Sequence, residues 1–301
     1  MGAIKSFIFG RKTVAPNELK AMYGSSPSQF IELSNGVNVH FRDEGNPKGL
    51  AVVFVHGHTE DLHTWSEMIR NMNGEFRLVR YDLRRHGLTG PAPDNDYKID
   101  NYISDLSMFI ENLGIERFVL VGHSMGGRIS VKYAIENQKK VHALVLLSSS
   151  GAPLKEKGSS PMALRLMKNP LGRFLLKRLW SRKMAMKSLQ GMVFDKSLIS
   201  DIEIDRMWHF SKYPGNMDAM FKEFTTNWND FNSNEINHIK TKTLLIWGQE
   251  DTICPEYMGD WYDTNLQNSR IVKLSEIGHN PQFESPKRCV EEISSFLEMI
   301  S

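Results

Sequence analysis

The run Gly122-His123-Ser124-Met125-Gly126 sets a serine between two glycines, each two residues away. That spacing suits a serine held on a tight strand-to-helix turn, where neighbouring backbones approach too closely for a Cβ. The apolar run Phe118 to Val121 before it and the helix-like stretch Arg128 to Ile135 after it supply that strand and that helix. A serine hydroxyl is a weak nucleophile at neutral pH; it needs a general base, and the base needs an acid to orient it. Ten histidines compete for the base. His279, in Gly278-His279-Asn280-Pro281, follows a strand-like run ending at Leu274, which puts it in a loop at the carboxyl edge of a sheet. Asp251, in Gly248-Gln249-Glu250-Asp251, follows the apolar run Thr243 to Trp247 at the same edge. It is preferred to Glu250 because a turn-borne aspartate has the short reach that fixes an imidazole. The run ending Leu147-Ser148-Ser149-Ser150-Gly151 offers no carboxylate, so Asp251 has no rival there. The negative charge of a tetrahedral intermediate needs preorganised N–H donors. These are expected from Met125, at the start of the helix, and from His58 in His56-Gly57-His58. No metal or organic cofactor is called for, because fixed backbone dipoles handle the charge.

These groups must be carried by a scaffold, and the hydrophobic pattern describes one. Val37 to Phe41 alternates like a half-buried strand, while Ala51 to Val55 is an unbroken apolar run of the doubly buried kind. Phe76 to Tyr81, Phe118 to Val121, Ala143 to Leu147, Thr243 to Trp247 and Arg270 to Leu274 continue the series. Between them lie amphipathic stretches such as Asp100 to Leu113, with Ile103, Leu106, Ile110 and Leu113 on one face. The alternation predicts a parallel sheet flanked by helices. From 152 to 237 the strand rhythm stops, and several helices are expected instead, one starting at Asn169-Pro170. This segment reads as a helical cap over whatever the sheet presents. The predicted organisation is an N-terminal extension over 1–29, a core formed by 30–151 with 238–301, and the cap over 152–237.

The cap holds eight of the sixteen methionines together with Trp180, Trp208 and Trp228. Such side chains either form an adaptable pocket for an acyl chain or glue the cap to the sheet. Met184 and Trp208 are expected on the pocket side, joined by His63 and Trp65 from the loop after His58, although Trp65 also suits the core. Between Lys155 and Lys187 ten basic residues face a single acid, Glu156. Interleaved with Leu171, Phe174, Leu175, Leu179 and Trp180, they form a basic amphipathic pattern that is either a solvated face or a contact for anionic lipid.

Composition excludes other classes. With 41 % hydrophobic and 24 % charged residues the chain of 301 residues is neither disordered nor fibrous. Its net charge, 37 − 35 = +2, is too balanced for wholesale nucleic-acid binding. The longest apolar runs, such as Leu50 to Val55, fall far short of a membrane span. Ala3 to Gly10 is too short and broken for a signal peptide, and Met1-Gly2 with Ser6 matches only the loose myristoylation pattern. The two cysteines, Cys254 and Cys289, are too few for a disulfide framework or a zinc site. A cytoplasmic protein is expected, or a membrane-associated or exported one if an N-terminal segment precedes this sequence. The sequence carries no signal for oligomeric state.

His56-Gly57, Asp82-Leu83-Arg84-Arg85-His86-Gly87, Gly122-His123-Ser124-Met125-Gly126-Gly127, Gly248-Gln249-Glu250-Asp251 and Gly278-His279 stand in an order that resembles the α/β-hydrolase superfamily, from about Gly36 to Leu297. The resemblance implies a mostly parallel eight-stranded sheet with a cap inserted after strand six. It is greatest to capped serine esterases and lipases, and extends to carbon–carbon bond hydrolases and cofactor-free haloperoxidases. Ser124 argues against the branches that place aspartate at the nucleophile, namely haloalkane dehalogenases and most epoxide hydrolases. Carbon–carbon hydrolases often begin the oxyanion loop with a glycine-rich run, from which His58-Thr59-Glu60-Asp61 departs. Arg85 stands where relatives usually carry glycine, and its side chain has either solvent or the pocket to face. The expected activity is hydrolysis of a small or lipid-like carboxylic ester by Ser124, His279 and Asp251. The alternatives are carbon–carbon bond hydrolysis with the same triad and a non-catalytic ligand-binding member of the fold.

Overall fold

Ala51–Val55, buried along its whole length, forms the central strand β3 of a sheet in a computed structural model that describes residues 13–72, 74–155 and 167–300. The other strands are β1 (Ser28–Glu32), β2 (Asn38–Gly45), β4 (Arg77–Tyr81), β5 (Phe118–His123), β6 (Val141–Leu147), β7 (Thr243–Gly248) and β8 (Ser269–Leu274). Their order across the sheet is β1-β2-β4-β3-β5-β6-β7-β8. Strand β2 runs antiparallel to β1 and β4, and the remaining pairings are parallel. The crossover from β4 past β3 to β5 brings the carboxyl ends of β3 and β5 side by side, with Val55 opposite Gly122. Loops after these two strands must therefore meet.

Because successive side chains point to opposite faces, each central strand feeds two cores. Val53, Val55 and Leu120 join one cluster, and Val52, Phe54, Val119 and Val121 the other. Full burial of each such side chain contributes about 1.5–3 kcal/mol, so the sheet is a stiff platform. Helices α1 (Pro16–Tyr23), α2 (Ser66–Asn71), α3 (Ile99–Asn112) and α4 (Met125–Glu136) precede β6. Between β6 and β7 lie α5 (Pro170–Leu179), α6 (Arg182–Gln190), α7 (Asp201–Phe210), α8 (Asn216–Thr225) and α9 (Ser233–Ile236). After β7 come α10 (Glu256–Asn265), α11 (Pro281–Glu284) and α12 (Pro286–Ile300).

Two features depart from the sequence reading. Strand β1 lies at the edge of the sheet with only Phe30 and Ile31 to signal it, and an edge strand half exposed to solvent carries too weak an alternation to read. The residues before it do not extend freely. The Val14 N–H donates to Lys212 O at 3.1 Å, Leu19 is buried with Leu88 and Phe210, and the Tyr23 hydroxyl meets His209 Nδ1 at 2.7 Å. Helix α1 is thus part of the contact between core and cap. The Met1-Gly2 pattern, the run Ala3 to Gly10, and Lys157 and Arg165 of the basic stretch lie outside the described residues. Among the described residues no helix is long and apolar enough to cross a membrane.

Candidate active site

Ser124 sits between β5 and α4 with φ of 51°, a left-handed conformation that only a strongly constrained non-glycine residue adopts. The flanking glycines show the constraint. A Cβ on Gly126 would lie 2.1 Å from Val55 O and 2.4 Å from His56 O, and one on Gly122 would lie 2.6 Å from Gly126 O. These neighbours are backbone and cannot step aside. The turn is further held by Ser124 O, which accepts from the Ser150 N–H at 3.0 Å and the Arg128 N–H at 3.1 Å.

The three distant loops converge. His279 Nε2 lies 2.9 Å from Ser124 Oγ, and His279 Nδ1 lies 2.8 Å from Asp251 Oδ2. Asp251 Oδ1 accepts from the N–H groups of Ile253 at 2.8 Å and Cys254 at 2.9 Å, which fixes the carboxylate. The consistent proton placement has Nδ1–H donating to Asp251 and Nε2 accepting from the serine hydroxyl. All three residues are buried. Burial holds the His279 pKa below its ordinary value against the opposing pull of Asp251, and the charge of His123 adds to the lowering. The imidazole is therefore neutral and ready to take a proton at neutral pH.

Met125 opens α4, and its N–H and that of His58 have no protein acceptor among the described residues. Both residues border the same cavity as Ser124. The pair can receive a developing oxyanion there, such donors being worth about 3 kcal/mol each.

Two buried ionic clusters brace these loops, and sequence reasoning missed both. In the first, His123 Nδ1 lies 2.9 Å from Glu60 Oε2 and its Nε2 lies 2.8 Å from His279 O. Both ring nitrogens face acceptors, so both bonds form only when the ring carries two protons. Burial alone would lower the His123 pKa, but Glu60 outweighs it and the net shift is upward. Burial alone would raise Glu60, yet His123 brings it down to about 2. Glu60 Oε2 also accepts from the Gly57 N–H at 2.6 Å, so one carboxylate ties the loop after β3 to the turn at Ser124.

The second cluster answers where Arg85 points. Its side chain is buried and turns inward: Nε lies 2.7 Å from Glu223 Oε2 in the cap, and Nη2 lies 3.2 Å from the His58 ring. His58 Nδ1 meets the same Glu223 oxygen at 2.8 Å, and the Tyr102 hydroxyl donates to Oε1. Burial would raise the Glu223 pKa, but Arg85 and His58 hold it well below the carboxylate range. Burial and the charge of Arg85 push His86 well below the ordinary imidazole value. Among the described residues the ligand atoms of His58, His86 and Glu223 alone come close enough together to hold a metal ion, within 4.8 Å of one another. The guanidinium of Arg85 already supplies the positive charge there, at 2.6 Å from Glu223, so an ion pair explains the cluster without a cation.

A cavity of about 440 Å³ opens onto Ser124, walled by Arg128, Phe224, Trp228, Ile253 and Met258. Arg128 donates to Trp228 O at 2.7 Å and lies 3.6 Å from Asp230, while its buried Nε has no acceptor among the described residues. None of the four residues expected to line the substrate pocket borders this cavity. Trp65 packs on Phe54 in the core with ring centres 5.2 Å apart. His63 Nδ1 is held by Asp61 at 2.7 Å. Trp208 lies under the Lys212 ammonium, whose nitrogen is 4.1 Å from the ring centre, and Met184 is half-buried in α6. Apolar composition marked the cap as a pocket wall, but which side chains turn inward depends on packing that the sequence does not display.

Residues 51–286 match the family of the alpha/beta hydrolase fold. The chain is 30 % identical over 264 residues to the uncharacterized hydrolase YugF of Bacillus subtilis (strain 168), covering 88 % of this chain and 96 % of that one. It is 26 % identical to the 2-hydroxy-6-oxononadienedioate/2-hydroxy-6-oxononatrienedioate hydrolase of Paraburkholderia xenovorans (strain LB400), covering 93 % and 99 %. Among solved structures, the meta-cleavage product hydrolase of Pseudomonas fluorescens IP01 superposes with a TM-score of 0.77 at 19 % identity, covering 91 % of this chain and 98 % of that one. A serine, an imidazole and a carboxylate joined beneath a helical cap on a mostly parallel eight-stranded sheet agree with these likenesses: the chain belongs to the α/β-hydrolase family and is a hydrolase.

Proposed function

We propose that this hydrolase cleaves a carbon–carbon bond beside a ketone in a carboxylate-bearing dienoate, with Ser124 as nucleophile, His279 as base and Asp251 as orienting acid. The observation that carries the substrate class is Arg128. A half-buried guanidinium in the wall of the cavity that holds Ser124, with one N–H unsatisfied and Asp230 no nearer than 3.6 Å, matches a carboxylate better than an uncharged acyl chain. Full-length likeness to a hydrolase of oxo-dienedioates supports the same class.

His279 Nε2 takes the Ser124 proton as Oγ bonds to the ketone carbon. The oxyanion is received by the N–H groups of Met125 and His58. In the ketonised substrate, with the 2-hydroxyl proton moved to the carbon next to the ketone, the carbon–carbon bond then breaks with its electron pair running into the adjoining enone, and the dienolate so formed takes the proton from His279. An acyl group remains on Ser124. Water, deprotonated at His279 Nε2, attacks it, and the proton returns to Ser124 Oγ as the acid leaves.

Carboxylic ester hydrolysis is the second reading, favoured by the oxyanion loop: His58-Thr59-Glu60-Asp61 lacks the glycine run frequent among carbon–carbon hydrolases. One panel separates the two. The wild type is assayed on a 2-hydroxy-6-oxo-dienoate and on a neutral aryl ester, beside Ser124→Ala and Arg128→Gln. Ser124→Ala should lose about a thousandfold or more on every substrate turned over. Arg128→Gln should raise KM for the dienoate by at least about tenfold, and leave the aryl ester within about twofold. Turnover of the ester with none of the dienoate transfers the assignment to the ester reading. Undiminished turnover by Ser124→Ala refutes both.

A further inference from the structure

Helix α5 turns its apolar side outward. Of its residues, Leu171 is 66 % exposed, Phe174 57 %, Leu175 42 % and Leu179 64 %. At 100° per residue these four occupy one arc of the helix, with Arg178 in their midst. The inward side is held differently. Gly172 is buried, and the Trp180 indole N–H, just past the helix end, donates to Ser211 Oγ at 3.0 Å in the cap. A surface helix normally buries its apolar stripe against the core. Here the stripe is presented, and nothing in the described chain covers it.

The surroundings say what would. From 167 to 190 the sequence has seven basic residues and no acid. Lys177 is paired with Asp218, and Arg182 with Asp201 and Asp205, all from outside that stretch. Lys168, Lys183 and Lys187 make no ion pair among the described residues. Two such faces repel each other, which disfavours a second copy of this chain as the occupant. A flat, negatively charged, apolar-cored surface satisfies both features at once, the side chains entering the acyl boundary and the lysines meeting head groups.

We propose that α5 docks the protein peripherally on an anionic lipid bilayer, its outward leucines and Phe174 inserted and its flanking lysines against the head groups. The ten-residue helix lies in the interface plane and does not span. This surface is separate from Ser124, so its failure leaves the proposed chemistry untouched.

Co-sedimentation of the full chain with phosphatidylcholine vesicles, with and without phosphatidylglycerol, is the test. The protein should sediment with the anionic vesicles and not with pure phosphatidylcholine, and rising salt should release it. Leu171→Ser/Phe174→Ser/Leu175→Ser should weaken partition by at least about tenfold. Lys168→Glu/Lys183→Glu, which alters charge alone, should weaken it by about fivefold per lysine removed, or more. Labelling of Ser124 by a fluorophosphonate, unchanged in both variants, verifies that each is folded. No partition of the wild type into anionic vesicles overturns the proposal. So does partition indifferent to these substitutions, or a concentration-dependent dimer that the serine variant abolishes.

Discussion

At the residue scale, the proposed chemistry rests on keeping one imidazole neutral. His279 is faced by Asp251, by Glu60 and by His123, whose ring centre lies 4.8 Å away. Because the folded His279 pKa lies below 6.5, kcat/KM should rise with pH along an acid limb positioned below that value and then level off. His123 shapes that limb. With both ring nitrogens on acceptors it is a buried cation, and a cation beside His279 disfavours a second one. His123→Gln should therefore move the acid limb to higher pH while the plateau changes little, as read from kcat/KM against pH; a limb that stays in place would show that His123 acts only through its bonds. The meeting of Ser124, Asp251 and His279 was legible in the sequence because each stands in a short motif at a strand end. Glu60 and Glu223 were not, because their partners lie 63 and 138 residues away and no local pattern announces such pairs. Arg85 was legible only as an oddity, its inward direction being set by a carboxylate from the cap.

At the element scale, the site depends on how closely α4 approaches the end of β3. The strands were legible wherever burial on both faces produced an unbroken apolar run, as in Ala51–Val55, and β1 was missed because an edge strand needs no such run. The closeness itself appears in the sequence as Gly126. Its replacement by alanine drives a Cβ into the carbonyls of Val55 and His56, backbone that the parallel pairing of β3 with β4 and β5 holds in place. Gly126→Ala should cost about 2–3 kcal/mol in stability and more than tenfold in kcat, since relief requires α4, and with it the Met125 N–H, to retreat from the proposed oxyanion position. Thermal unfolding and steady-state kinetics on one preparation check both. Wild-type Tm and kcat together would mean that helix and strand have slack that the structure does not display.

At the scale of the whole molecule, one carboxylate of the cap gathers side chains from three elements of the core. Glu223 in α8 gathers Arg85 from the loop after β4, His58 from the loop after β3 and Tyr102 from α3. Arg85 holds a φ of 68°, a conformation that costs a non-glycine residue about 1 kcal/mol or more. That strain is tolerated because the guanidinium reaches the cap, and His58, whose N–H is proposed to receive the oxyanion, is fixed by the same contact. Stability and catalysis then separate in a defined way. Glu223→Gln strands a buried guanidinium and should cost about 3 kcal/mol while lowering kcat. Arg85→Gly relieves the backbone but frees His58, so kcat should fall by about tenfold or more with a smaller loss of Tm. Combining the two removes both charges, and Tm should recover toward the wild type while kcat stays low, with KM changed less than kcat. Recovery of kcat along with Tm in the double variant would reduce the ion pair to a fastening between cap and core, whereas persistent loss of kcat in a stable protein makes cap closure a condition for the oxyanion site.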